Sequence, residues 1–584
     1  MLTSTCFNQS TLPALLCHRA TQTPTAVAYQ FPELEQVVTW AQLWQQVQQM
    51  AAGLARQGIA PGDRVALLLE GRLELVVSLL GIVTIGAVAV PLNTYCKLAE
   101  LRQYLLDAQP RALIIGSAGL RVGYADLVGA VCGPAGPVSE ATWVPARVFV
   151  QGSGQELPAP FRPFTDLLGA VPTAAEMRAL GTATVASAPA FLLYTAGTTG
   201  QPKGVLRSTA SFLVAAAAAP RKPVGRLRAA LLRHRDQYMN QFMVLSLLPL
   251  YHQGGLNSLL FLLESRNVPI TLLTHFNPLT ALRVAAQVRC RLLIATPYMV
   301  QAMLGAHPGA PAQLRSVWGV ALGAAAVSGH MLDALLAKLP GLYMLMVGYG
   351  SSEAGVVATG TCFFGHNKNA LVASLFSGLG RLGLLRGAVP YALFHQTPHS
   401  VCGRVAPHVE VCTLDPQTGQ PLAAGQPGEL AVRSPSVMPY ASDGPTARPA
   451  HAWYRTGDIG YLTPDGVLIL TDRLKRLISR GGEKISPTEV ENAIRRHPGI
   501  ADVYVVAVPD ALYGEQACAM VVEQPGTRLE AAKLRAQLAG ELSQFKIPHY
   551  VVCVPALPLL GSGKLAGEEI RQDALQYINS QAYA

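Results

Sequence analysis

The chain predicts an α/β protein in which parallel sheets are covered by helices, followed by a small β-rich unit and a compact α+β module at the C-terminal end. Three observations predict it. Through residue 350, helical segments such as 40–56 alternate with short apolar runs such as 65–69 and 112–115, the pattern of strands joined by crossover helices. From about Arg404 the style changes to short strand-like runs at 409–414, 428–433 and 466–470, separated by Pro, Gly and Asp turns. After Asp472 come a helical run at 487–496 with acidic residues in its early turns, an apolar strand at 503–508 and a second helix near 529–542.

Bulk properties agree with a globular chain. Half of its 584 residues are apolar and 14% are charged, enough for large buried cores and unlike a disordered or coiled-coil sequence. The net charge of +10 either solubilises the surface or favours polyanionic ligands or an anionic bilayer. Ten cysteines, at 6, 17, 96, 132, 290, 362, 402, 412, 518 and 553, are scattered and form no CxxC pair, so neither a zinc site nor a disulfide framework is expected and a reducing compartment is. The N-terminus has no basic segment leading into a sustained apolar run, so no secretory signal is expected.

Residues 75–92 are uncharged and long enough to invite a membrane span, but Gly81, Gly86 and Pro91 make them read as helix, turn and buried strand. Two segments carry a different option. Residues 221–236 begin as a basic stretch with interleaved leucines, and the region from Gly355 to Val409 holds no Asp or Glu, its part at 361–400 including a run from Leu371 to Phe394 in which only Arg381 and Arg386 are charged. Together they could lie on an anionic bilayer; a solvated helix face and a buried insertion or partner interface is the alternative.

The stretch Tyr194-Thr-Ala-Gly-Thr-Thr-Gly-Gln-Pro-Lys-Gly204 is built to hold phosphates. Glycines let backbone N–H groups turn toward an anion, the hydroxyls of Thr195, Thr198 and Thr199 add donors, and Lys203 adds positive charge. It is not a Walker A loop, because Gly197 and Gly200 are three apart and Pro202 precedes the lysine. The apolar run at 190–193 before it reads as a buried strand, and strand-then-loop is a common way to present a nucleotide site.

This loop and five later blocks, in the same order, resemble the adenylate-forming enzymes: acyl-CoA synthetases, peptide-synthetase adenylation domains and firefly-type luciferases. The blocks are Tyr349-Gly-Ser-Ser-Glu353, Tyr454-Arg-Thr-Gly-Asp458, Asp472-Arg-Leu-Lys475, Gly481-Gly-Glu-Lys-Ile-Ser-Pro487 and Gly561-Ser-Gly-Lys564. The resemblance implies a large N-terminal domain, residues 1–472, of two helix-covered sheets plus a small β-barrel-like subdomain. A small mobile C-terminal domain, residues 473–584, would follow. It also implies activation of a carboxylic acid as its acyl-adenylate with ATP and Mg2+, then transfer to coenzyme A. An aliphatic acid is expected, because the Pro249-Leu-Tyr-His252 block is unlike the Asp-bearing motif that amino-acid adenylation domains use for the substrate ammonium.

By the same resemblance, Thr195, Gly197, Thr198, Thr199, Gly200 and Lys203 would cradle the departing phosphates, where Ala196 replaces a more usual Ser or Gly. Glu353 and Thr198 would hold Mg2+, and Ser352 would donate to the α-phosphate in place of the usual Thr. Tyr349 and Gly350 would lie at the adenine, and Gly323, Ala324 and Ala325 along its edge. Asp458 would accept from the ribose hydroxyls, Arg473 would contact ribose or phosphate, and Lys564 would bridge carboxylate and α-phosphate. The residues before Gly561 lack the family's usual Arg-Thr, which leaves the placing of that turn open. Lys475 would be the hinge that swings Gly481 and Gly482 to the thiol tunnel, and His252 either gates that tunnel or is an ordinary loop histidine. Two other functions stay open: an acyl-AMP ligase that loads a separate carrier protein, and a non-catalytic adenylate-binding protein. The expected location is the cytoplasm, with peripheral membrane contact as the second option; no nucleic acid is expected as a partner.

Overall fold

A computed structural model describes residues 11–116, 123–132, 143–152, 161–181, 185–196, 202–217, 243–257, 268–323, 327, 329–339, 341–364, 388–397, 399–437, 452–480, 483–510, 512–560 and 564–582. Two large sheets and one small one organise them. The first has seven strands in the order Phe161–Pro163, Arg147–Gln151, Ala112–Gly116, Arg64–Leu68, Val88–Pro91, Pro189–Ala196 and Pro202–Ser208, all parallel neighbours except the antiparallel last pair. The second begins with parallel strands Val244–Ser246, Ile270–Leu272, Leu292–Ala295, Gly319–Leu322 and Met344–Ser351.

Successive residues of a strand face opposite sides, and the cores follow that rule. Val65 and Leu67 pack into a core shared by both large sheets, while Ala66 and Leu68 pack outward under the helices Leu98–Ala108 and Tyr124–Cys132. Three helices, Leu12–Gln22, Trp40–Arg56 and Leu73–Thr84, fill the shared core between the sheets. Three more, Pro278–Gln287, Pro297–Ala306 and Gly329–Lys338, cover the far face of the second sheet. The result is a layered helix–sheet–helix–sheet–helix body.

The uncharged run at 75–92 is therefore core: the helix ends at Thr84, and the strand Val88–Pro91 is buried throughout. Gly81 sits where a Cβ would come 2.4 Å from Met50 Cγ, so its lack of a side chain lets two helices meet. No helix among the described residues is long and apolar enough to cross a membrane. Residues 221–236 and most of 361–400 lie outside the described residues.

The β-rich subdomain expected from about Arg404 is present and is hydrogen-bonded to the second sheet. Its strands Gly355–Phe363, Ser400–Val405, Val467–Arg473, Tyr454–Leu462, Gly428–Arg433 and Glu410–Leu414 continue the second sheet antiparallel from Met344–Ser351, and Val27–Phe31 and Gln36–Thr39 extend it beyond Ile270–Leu272, giving thirteen strands in all. They keep a core of their own around Val357, Val409, Leu430, Val432 and Leu468.

The remaining sheet has five strands, Glu483–Ile485, Ile478–Arg480, Gly514–Glu523, Ile500–Asp510 and Tyr550–Cys553. Val503, Val505, Ala517 and Ala519 face one core with the helices Pro487–Ile494 and Ala531–Leu538, and Val506, Val508, Cys518 and Met520 face another with the helix Gly567–Ala582. Between Arg473, the last residue of the long sheet, and Ile478, the first of the small one, lies only a short 3-10 turn, Leu474–Arg476.

Candidate active site

The phosphate loop is the connection of a β-hairpin. Thr195 lies opposite Lys203 and Ala196 opposite Pro202 in the antiparallel pair Pro189–Ala196 and Pro202–Ser208. Pro202 therefore opens a strand at the sheet edge, a position that tolerates a residue without an N–H. Gly197, Thr198, Thr199 and Gly200 lie outside the described residues, as do Ala324, Ala325, Gly481 and Gly482.

Asp458 anchors the site. The sequence Thr-Gly-Asp reads as a turn, but the residue sits inside the strand Tyr454–Leu462, where Gly457 takes a φ of +72° and the pairing with Gly428–Arg433 shifts register. Directly across the ladder from it stands Arg473, so the two side chains share one face, and the Arg473 Nε lies 2.9 Å from Asp458 Oδ1. The Tyr349 hydroxyl donates to Asp458 Oδ2 at 2.6 Å. Burial, then the Asp458 charge, pushes that phenol well above its ordinary pKa, so it stays a donor. Asp458 is 3% exposed, whereas the Arg473 side chain is 68% exposed and keeps donors for a ligand.

Behind this group a residue that no sequence motif points to holds the Thr-Gly-Asp segment. Glu429, almost fully buried, accepts from Arg455 Nε at 2.7 Å and from the Gly457 N–H at 3.3 Å, and Thr456 Oγ1 donates to the Leu430 carbonyl at 3.0 Å. Gly350 has a packing reason: a Cβ there would come 2.2 Å from the Gly355 carbonyl oxygen. At Gly323, by contrast, at the end of the strand Gly319–Leu322, a Cβ would meet nothing within 4 Å among the described residues.

Ser352 and Glu353 follow the strand Met344–Ser351 and are both partly buried. Among the described residues the Glu353 carboxylate accepts no hydrogen bond, so its hard oxygens fit a divalent cation of the Mg2+ type.

Lys564 reaches this group from the far side of the 3-10 turn. On either side of residues 561–563, which lie outside the described residues, Leu559 pairs with Leu565 and the Leu560 N–H donates to the Lys564 carbonyl at 2.7 Å. The residue remains open to solvent, yet protein crowds its ammonium end. That crowding and the Arg473 charge lower its pKa, with Asp458 opposing. His252 lies within the same field: burial first, and Lys564 second, depress it to about 3, so its ring is neutral at ordinary pH. Its ring centroid lies 4.5 Å from that of Tyr251. Lys475, exposed, is the middle residue of the 3-10 turn.

The structure thus gathers Tyr349, Asp458, Arg473, Lys564 and His252 into one electrostatically coupled group, with Lys564 contributed by the small C-terminal unit. Comparison with known proteins shows the family. The family described as AMP-binding enzyme matches residues 16–440, and the AMP-binding enzyme C-terminal domain matches residues 489–564. The putative acyl-CoA synthetase YngI of Bacillus subtilis is 27% identical over 582 residues, covering 98% of both chains. The indoleacetate–CoA ligase of Aromatoleum aromaticum is 27% identical over 554 residues, covering 94% of this chain and 95% of its own. The fold is similar to that of the anthranilate CoA ligase AuaEII solved with anthranoyl-AMP, with a TM-score of 0.76 at 19% identity over 99% of this chain and 100% of the other. The chain belongs to the AMP-binding enzyme family and is an AMP-forming acid–thiol ligase.

Proposed function

We propose that the protein activates an aliphatic carboxylic acid and passes the acyl group to coenzyme A, with the residues above in the roles their sequence motifs imply. The observation that carries this reading is the approach of Lys564 to Asp458, Arg473 and His252. A carboxylate and a triphosphate repel each other, and an ammonium between them offsets that repulsion where charge builds up in the transition state. In the first step a carboxylate oxygen attacks the α-phosphorus, the bond to the β-phosphate breaks, and pyrophosphate leaves. Lys564 steers the two anions together, Ser352 donates to the α-phosphate, and the hairpin bearing Thr195 and Lys203 receives the pyrophosphate. Mg2+, where bound at Glu353 and Thr198, would neutralise phosphate charge. Asp458 accepts from the ribose hydroxyls while Tyr349 and Arg473 hold its carboxylate in place.

In the second step the thiol of coenzyme A attacks the acyl carbon, AMP leaves, and the thiol proton passes to solvent. Lys564 must withdraw first. The exposed Lys475, in the short turn between the two sheets, is suited to be the hinge, with the boundary between the units at 472/473. The neutral ring of His252 can move aside without breaking an ion pair.

The reading is tested by pyrophosphate release with a panel of acids, then by offering free coenzyme A and a phosphopantetheinylated carrier protein in parallel. Release with medium or long aliphatic acids and acylation of free coenzyme A is the expected result. Acylation of the carrier alone would reassign the acceptor, and no release with any acid would reduce the protein to an adenylate binder.

A further inference from the structure

Arg207 lies four residues beyond Lys203, in the strand that leaves the phosphate loop, and is 1% exposed. Its Nη1 donates to the carbonyls of Ser436 at 2.7 Å, Ser352 at 3.1 Å and, at a long 3.5 Å, Glu353. Its Nη2 donates to the Ser211 carbonyl at 3.2 Å, and the guanidinium lies 5.0 Å from the Phe212 ring centroid. Among the described residues, every hydrogen-bond partner is a neutral carbonyl. Burying a guanidinium among such partners is costly, and an apolar side chain of similar volume often fills such a place at no greater cost. Burial indeed draws its pKa down to about 10, with the Glu353 carboxylate as the opposing charge.

Two further observations tie the guanidinium to the turn around Glu353. Gly355 takes a φ of +72°, and a Cβ there would come 2.9 Å from Ser436 Cβ and 3.0 Å from Arg207 Nη2, so the chain after Glu353 is shaped to admit the guanidinium. Arg207 also lines a cavity of about 20 Å³, into which the unpartnered Arg207 Nε, Gln253 Oε1 and His408 Nδ1 bring donor and acceptor capacity; that volume holds one water. Gln253 is the neighbour of His252 in sequence.

We propose that Arg207 is a positioning residue for acyl-adenylate formation. It fixes the backbone of Ser352 and Glu353 against the exit strand of the phosphate hairpin and sets its charge behind the Glu353 carboxylate. The α-phosphate donor, the metal ligand and the pyrophosphate cradle are thereby held in one register. The role rests on the reading of function above and belongs to its first step only, because the thiol transfer uses neither the departing phosphates nor their metal.

The test compares Arg207→Gln and Arg207→Lys with the wild type in the two half-reactions, each rate normalised to active sites counted from the burst of bound acyl-adenylate. Pyrophosphate exchange is expected to fall roughly 100-fold in Arg207→Gln, the scale of an ångström-sized misplacement of reacting groups. Arg207→Lys, which keeps the charge but lacks the planar fork, falls less. Thioester formation from supplied acyl-adenylate stays within about twofold for both. Equal losses in the two half-reactions, or no loss in either, would overturn the role; if Arg207→Gln does not fold, the same split in Arg207→Lys decides it. A wild type that forms no adenylate at all would instead overturn the function proposed above, and the positioning role with it.

Discussion

Asp458 is where three stretches of sequence meet, and each contact has a measurable consequence. Tyr349→Phe removes a hydrogen bond to a carboxylate, worth about 1.5–3 kcal/mol, and frees Asp458 to shift. Initial-rate kinetics should show KM for ATP raised about tenfold with a smaller change in kcat. Lys564 titrates below the ordinary lysine value of 10.5, so the alkaline limb of the adenylation rate should fall below that pH as the ammonium is lost. The residual rate of Lys564→Arg should carry no such limb, since arginine keeps its proton there. Asp458 and Lys564 were legible because short motifs name them. Arg207 and Glu429 were not: the first is held by backbone carbonyls from distant segments, and the second matters only once the strand pairing brings Arg455 and Gly457 to it.

At the scale of elements, Asp472 ties the long sheet to the small unit across the proposed hinge. From the strand Val467–Arg473 it accepts from the Ser486 hydroxyl at 2.6 Å and the Thr488 N–H at 3.0 Å, at the start of the helix Pro487–Ile494. A rotation at Lys475 must break these bonds. Asp472→Ala should therefore slow pyrophosphate exchange several-fold while thioester formation from supplied adenylate does not fall, and should destabilise the protein by about 1–3 kcal/mol in denaturant unfolding. The periodic elements were readable in advance. The helix at 40–56 carries a Thr39/Gln42 capping box, and the expected helix, turn and strand at 75–92 became Leu73–Thr84 and Val88–Pro91. The strand holding Asp458 was not, because Gly457 and the register shift imitate a turn that only cross-strand pairing overrides.

For the whole molecule, the alternation of helices and strands revealed the layers, but not that the β-rich region would extend one sheet to thirteen strands, since strand order is set by pairing between distant segments. The coupling of the small unit to the body can be read at His252. Its pKa of about 3 arises from burial first and the Lys564 charge second, so Lys564→Ala should raise it while leaving it below 6.5, as NMR titration would show. The sign for stability follows from linkage. The unfolded chain takes up a proton at this site below about pH 6.5 and the folded one only near pH 3, so stability falls with pH across that window, less steeply in His252→Gln. The most direct test is acid-dependent pyrophosphate release by wild type and Lys564→Ala, with ATP affinity measured alongside. A loss of about 100-fold or more in release at unchanged ATP affinity is the predicted result. Release by Lys564→Ala at the wild-type rate would contradict the claim that this ammonium brings the two anions together.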